Sequence, residues 1–325
     1  MSAQPQPDSP EPSGPGRSTT ELRNERTRHI DTVQTLDLVR LLNAEDATVA
    51  DAVARTLPVL AEVIDLTVIR LRQGGSVHYF GAGSSGRMGV LDAAEVVPTF
   101  GAEPGLFVAH HAGGDTAVAR AVEGAEDRQS LGREAASPLT SADVAVGLSA
   151  SGRTPYVAGA LSAGRSAGAL TVLVSSNLAA PIAELADYCL LADTGPEAIA
   201  GSTRLKAATA QKMILNSLST AVMIKLGRTY SNLMVSLAGT NQKLRQRQVV
   251  ILSEASGASE ADCRTELARC GGDLRVAMLS LLAGLEPGAG RRALAAAHGS
   301  VRAALAAAGP QPDGAGGQAA YHPGP

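Results

Sequence analysis

The stretch HYFGAGSSGRMG, residues 78–89, spaces Gly81, Gly83 and Gly86 as G-x-G-x-x-G, with Ser84 and Ser85 inside the pattern. Glycines so spaced let a strand turn tightly into a helix whose N-terminus faces an anion. Two anions suit the turn: the pyrophosphate of a dinucleotide, or a single phosphate ester. A dinucleotide site needs an acid about 20 residues further on, at the end of the next strand, to hold the ribose hydroxyls. That strand is LFVAHHA, and it runs into Ala112, Gly113 and Gly114. Glu103 comes before it and Asp115 lies past the glycine pair. The dinucleotide reading therefore loses its second anchor.

Hydroxyl-bearing turns recur instead. SASGRTP, after DVAVGL, carries Ser149, Ser151 and Thr154, and AGSTRLKAA puts Ser202 and Thr203 at the mouth of a helix. Arg204 and Lys206 follow, either as cations for a phosphate or as solvated side chains. Free backbone N–H groups, a positive dipole end and hydroxyls together suit one phosphate dianion. One such turn alone is an ordinary strand-to-helix connection. Three in one domain point to a phosphate ester, with Gly83, Ser84, Ser85 and Gly86 forming its first cradle.

The elements that carry these turns alternate. SVHYFGAG, LFVAHHA, DVAVGLSA, LTVLVSS and YCLLAD read as strands. RMGVLDAAEVV, DTAVARAVEGAEDRQSLGREA, TPYVAGALSAGRSAG and TRLKAATAQKMILNSLSTAVMIKLG read as helices. Continuous apolar strands separated by amphipathic helices predict an α/β fold with a doubly wound parallel sheet, covered on both faces. Ligands of such folds sit outside the carboxyl ends of the strands, where the turns gather. Two helices precede the sheet, at 35–46 and 48–73; Pro58 is expected to kink the second, and Gly74 and Gly75 to end it. Beyond Gln248 the strands stop and three or four short helices follow. The expected division is a loose tail over 1–20, the α/β domain with its leading helices over 21–247, a helical bundle over 248–303 and a second tail over 304–325.

Composition narrows the function further. The chain has 325 residues, 45% hydrophobic and 18% charged, enough for a sizeable core. Aromatics are 2% and tryptophan is absent, so stacking platforms for single-stranded nucleic acid are lacking. A net charge of −3 without a basic block gives nucleic acid no electrostatic footprint. Three cysteines, Cys189, Cys263 and Cys270, suit a reducing compartment. The first residues lack an apolar h-region, and no run of about 18 apolar residues could span a bilayer. The expectation is a cytoplasmic protein with no nucleic-acid or membrane partner. His110 and His111 are neighbours on a strand, point to opposite faces and do not easily chelate one metal.

The stretches FGAGSSGRMGVLDAAEVVPTFG, AVEGAEDR, VGLSASGRTPYV, GSTRLKAATAQKMILNSLST and NLMVSLAGTNQKLRQRQV closely resemble the N-acetylmuramic acid 6-phosphate etherases, as does TELRNERTRHIDTVQTLDLVRLLNAED. The match runs from about Thr20 to past Gly299, with mild departures such as Leu205 and Ala207. The resemblance implies a SIS-type phosphosugar-binding fold with a small UBA-like C-terminal bundle. It also implies a lyase that releases D-lactate from the sugar without metal or organic cofactor. Glu95 in VLDAAEVV is similar to the family's acid that protonates the leaving oxygen. Glu126 in AVEGAEDR is similar to its second carboxylate, the base at C2, with Glu123 and Asp127 as nearby competitors. Val90, Leu91, Ala93, Ala94, Val96 and Val97 surround Glu95 in sequence, an apolar setting that would favour a proton donor. Yet a straight helix carries Glu95 roughly 13 Å beyond Gly86. One acid is therefore expected from a partner subunit of a homodimer, the partner otherwise being the phosphosugar. The rival readings are a phosphosugar isomerase of the same superfamily and a non-catalytic phosphosugar sensor. Paired acids favour elimination over the first, and the absence of a second such domain or a basic helix-turn-helix disfavours the second.

Overall fold

Residues 19–120, 122–237, 239 and 241–309 are described in the computed structural model. The outer parts of the two expected tails, Ala121, Ala238 and Thr240 lie outside them. After two short 3-10 turns come α1 (Thr35–Asp46), α2 (Val49–Ala54) and α3 (Leu57–Arg72). The α/β part follows as β1 (Val77–Gly81), α4 (Gly83–Phe100), β2 (Phe107–His111), α5 (Thr116–Ala119), α6 (Gln129–Ala135), β3 (Val144–Leu148), α7 (Pro155–Ser166), β4 (Leu170–Ser175) and β5 (Tyr188–Leu191), closed by α8 (Lys206–Lys225).

The five strands pair in the order β2-β1-β3-β4-β5, every pairing parallel. β3 (VAVGL) and β4 (LTVLVS) are buried along their whole length, which is why they read as unbroken apolar runs. β2 is an edge strand, and its middle residues are half-buried. The order reverses between β1 and β3, and that reversal opens a crevice at the strands' carboxyl ends. Register sharpens the point: Gly81 lies opposite His111 on one side and Leu148 on the other. The chain thus leaves β1, β2 and β3 at one level. Phe80, Tyr156, Val157, Leu161 and Leu173 pack one face of the sheet.

Two sequence expectations change. Pro58 does not kink a long helix; the helix is already divided at Arg55 and Thr56, and Pro58 occupies the first turn of α3, where its missing N–H costs nothing. Nor is 115–135 one helix. α5 is four residues long, Arg120 is extended, and Gly124 has φ +73° before α6 begins at Gln129. Apolar spacing ran across this gap, but the left-handed backbone at Gly124 and the extended Arg120 interrupt any helix.

Contacts divide the chain into two compact units: residues to Ala93 with Gly105–Leu218, and Ala94–Pro104 with Ser219 onward. The second contains a small antiparallel hairpin of β6 (Thr229–Tyr230) and β7 (Leu233–Met234), which periodicity did not reveal. Its helices are α9 (Gln242–Ser256), α10 (Glu260–Arg269), α11 (Leu274–Ala283), α12 (Pro287–Ala296) and α13 (Val301–Ala308). Side chains of Asn241, Ser259, Asp273 and Ser300 accept first-turn N–H groups, and left-handed Gly257 and Gly284 end α9 and α11. Cys263 and Cys270 are buried, unpaired members of this unit's core, beside Leu252, Val276 and Leu279.

Candidate active site

The turn after β1 owes its shape to two glycines that touch. A Cβ on Gly81 would stand 2.7 Å from Gly86 N, and one on Gly86 would stand 2.7 Å from Gly81 O. Strand end and helix start therefore approach backbone to backbone, which only glycine permits. Gly83 adds the left-handed step, at φ +54°. Ser84 is half-buried and Ser85 buried in the first turn of α4, where N–H groups lack intrahelical acceptors.

The second turn, 149–154, starts level with the first because Leu148 pairs with Gly81. Ser149 Oγ and Thr154 Oγ1 are 2.8 Å apart, and Ser149 is buried. Chain from the end of β4 braces it: Asn177 Nδ2 donates to Ser151 O at 2.8 Å, and Ser175 Oγ donates to Ala150 O at 3.2 Å. Gly152 adopts φ +65° with Ala180 against it.

Glu126 joins both turns. Its carbonyl accepts from Tyr156 N at 2.9 Å, on the first turn of α7, directly after the second hydroxyl turn. It also lines a cavity of about 180 Å³ with Gly83, Arg87, His111, Glu123 and Gly124. Gly83 and Glu126 are thus brought together in this cavity, and Glu123, the competitor of Glu126, lines it too while Asp127 does not. Arg87 and His111 were not singled out for it. Arg87 follows Gly86 inside the glycine motif, and His111 ends the strand beside Gly81, so strand pairing would have indicated both. His111 is buried, with Nε2 3.1 Å from Gly83 O and Nδ1 2.8 Å from Ala112 O. His110 takes the opposite face, stacked on Phe80 and 2.9 Å from the His78 ring. Burial, with the neighbouring His78, lowers the His110 imidazole to about 4.

The third turn is built differently. Ser202 and Thr203 are half-buried, and neither they nor Lys206 lines the cavity. The mouth of α8 already holds an anion of the chain's own, because the buried Glu197 accepts from Lys206 N and Ala207 N, both at 2.9 Å. Burial pushes the Glu197 carboxyl up, against the lowering effect of those two bonds. Lys206 is 1% exposed, and its ammonium sits 2.7 Å from Glu45 Oε2. Arg26 and Asn24 donate to the same carboxylate at 2.9 and 2.7 Å. Burial would raise the Glu45 carboxyl, but these donors outweigh it and hold it at about 2.

Glu95 lies on the outer face of α4. It is exposed, as are Leu91, Ala94, Val97 and Pro98, so the apolar setting expected around it is not enclosed by a single chain. Leu91, Ala94, Glu95 and Pro98 recur at helical spacing and form one stripe.

A parallel sheet with two hydroxyl-bearing turns at its switch point fits a SIS-domain protein, and family comparison agrees. The SIS domain matches residues 119–221, and the glucokinase regulatory protein N-terminal SIS domain matches residues 59–165. The chain is 57% identical to the N-acetylmuramic acid 6-phosphate etherase of Thermobifida fusca over 266 residues, covering 82% of this chain and 88% of the relative. It is 48% identical to the protein of the same name from Streptomyces coelicolor over 292 residues, covering 89% and 94%. The chain belongs to the N-acetylmuramic acid 6-phosphate etherase family.

Proposed function

We propose that this protein cleaves the D-lactyl ether of N-acetylmuramic acid 6-phosphate, giving N-acetylglucosamine 6-phosphate and D-lactate. The carrying observation is the cavity in which the Gly83 turn and Glu126 meet, in a chain 57% identical to a named etherase. The phosphate lies at the turns of Gly83–Gly86 and Ser149, Ser151 and Thr154. Ring opening makes C1 an aldehyde and the C2 proton acidic. Glu126 removes that proton while the C3–O bond breaks and Glu95 protonates the departing lactyl oxygen. Water then adds across the unsaturated aldehyde, its hydroxyl to C3 and a proton to C2, so one water is consumed. Two carboxyl groups in different protonation states meet the acid and base requirements.

The active unit in this proposal is a homodimer in the cytoplasm. Supporting it, Glu95 sits in an exposed apolar stripe, and the helical rise sets it roughly 13 Å beyond Gly86. The 180 Å³ cavity is also below the roughly 300 Å³ at which pockets for small ligands begin. A second copy would cover the stripe, desolvate Glu95 and enlarge the site. The three free cysteines suit a reducing compartment.

The test incubates the purified protein with N-acetylmuramic acid 6-phosphate in ¹⁸O-labelled water. D-lactate release with label at C3 of the sugar is expected. Unlabelled sugar, or no lactate, removes the proposal. Glu95→Gln and Glu126→Gln proteins, each inactive, should regain activity on mixing, and no recovery would refute shared sites.

A further inference from the structure

Arg87 has no part in that reaction scheme, yet it joins two pieces of it. It opens the second turn of α4, directly after Gly86. Its guanidinium reaches across to the chain beyond β2. Nε donates to Val118 O at 2.8 Å and Nη2 donates to Ala117 O at 3.0 Å. Those carbonyls close α5, a helix too short to satisfy them itself. Further along the chain lies Glu126.

Of residues 122–128, all but Ala125 are exposed. Gly124 is left-handed, and Ala117 and Ala125 are the buried anchors of this stretch. Segments with few buried contacts open at little free-energy cost. The Glu126 segment is fastened at its far end by Tyr156 N to Glu126 O, and at its near end by Arg87. The near fastening belongs to the phosphate turn.

We propose that Arg87 is a positioning residue that conveys phosphate binding at the Gly83–Gly86 turn to the placement of Glu126. Phosphate on the turn fixes the first turn of α4, and with it the guanidinium that holds residues 117 and 118. Binding energy from a remote, non-reacting group is thereby spent on ordering the base at C2. Two of the guanidinium's nitrogens are committed to carbonyls, so its task is to hold chain. This inference rests on the reaction proposed above.

The experiment splits the substrate into pieces. D-lactate release from N-acetylmuramic acid without its phosphate is followed with and without phosphite dianion, for the wild type, Arg87→Met and Arg87→Lys. Phosphite is expected to stimulate the wild type about tenfold or more, because it supplies the missing binding energy. In Arg87→Met the stimulation should fall to about threefold or less. Arg87→Lys, which restores one donor, should fall between, and it carries the test if the methionine variant does not fold. On the phosphorylated substrate, Arg87→Met should lower kcat about tenfold with KM nearly unchanged. Equal stimulation in variants and wild type overturns the proposal, as does no stimulation of the wild type. A raised KM with kcat intact also overturns it, making Arg87 a phosphate ligand instead. Failure of the parent reading looks different: the wild type would release no D-lactate from the phosphorylated sugar.

Discussion

Replacing Lys206 by methionine separates two tasks that the sequence leaves open. The Lys206 ammonium and Glu45 carboxylate are 2.7 Å apart, with side chains 1% and 2% exposed. Attraction at that distance is about 6 kcal/mol at an effective dielectric of 20, most of it offset by the desolvation of both charges. Methionine keeps the length and apolar stem of lysine and leaves Glu45 without its buried counter-charge. Removing one partner of a buried pair costs about 3–5 kcal/mol. Arg26 and Asn24 still donate to Glu45, which places the cost near the lower end, about 3 kcal/mol. For a chain of 325 residues that is roughly 4–5 °C in Tm. Thermal unfolding followed by circular dichroism measures this loss, and KM for N-acetylmuramic acid 6-phosphate, measured well below the new Tm, should stay within about twofold. A Tm within about 2 °C of wild type, together with KM raised about tenfold, would refute the reasoning and make Lys206 a phosphate ligand.

Further outcomes follow from the same geometry. Glu45 titrates near 2 in the folded chain against an ordinary 4.5, so its stabilisation is whole above about pH 4.5 and is lost as pH falls toward 2; this amounts to about 3 kcal/mol, and acid melts of Glu45→Gln should lack that slope. Gly86→Ala sets a methyl group against Gly81 O and the His111 ring, and denaturant midpoints should show about 1–3 kcal/mol of lost stability, with phosphate affinity falling too. Glu126→Gln should lower kcat by about a hundredfold or more in the lactate assay with little change in Tm, since its side chain is exposed. Asn177→Ala frees the Ser151 carbonyl from its brace, and KM should rise about fivefold, as expected for one hydrogen bond worth about 1 kcal/mol.

The sheet was legible because its signal is local. Buried strands such as VAVGL and LTVLVS leave apolar runs, and Gly81 and Gly86 mark where backbone meets backbone. The pairing of the first two hydroxyl turns also followed from topology, since β1 and β3 are neighbours. Long-range partners were not legible. Nothing near Lys206 in sequence names Glu45 or predicts that Glu197 fills the mouth of α8. A hydroxyl turn ahead of a helix therefore looked the same whether its anion was a ligand or a side chain of the chain itself. The region from 115 to 135 failed for another reason: apolar spacing persists through residues whose backbone is extended or left-handed. Exposure of Glu95 is equally hidden, because Leu91, Val96 and Val97 look alike in sequence whether they face a core or open surface.

The carboxylate of Glu45 and the ammonium that neutralises it lie 161 residues apart along the chain. A ribosome needs on the order of 10–30 s to make that length. Throughout that interval Glu45 has Arg26 as a charged partner but not Lys206, so the contact that ties α1 to the start of α8 cannot form as the N-terminal helices emerge. A translational arrest before codon 206 should yield nascent chains in which residues 35–72 stay open to protease, and release past that point should close them.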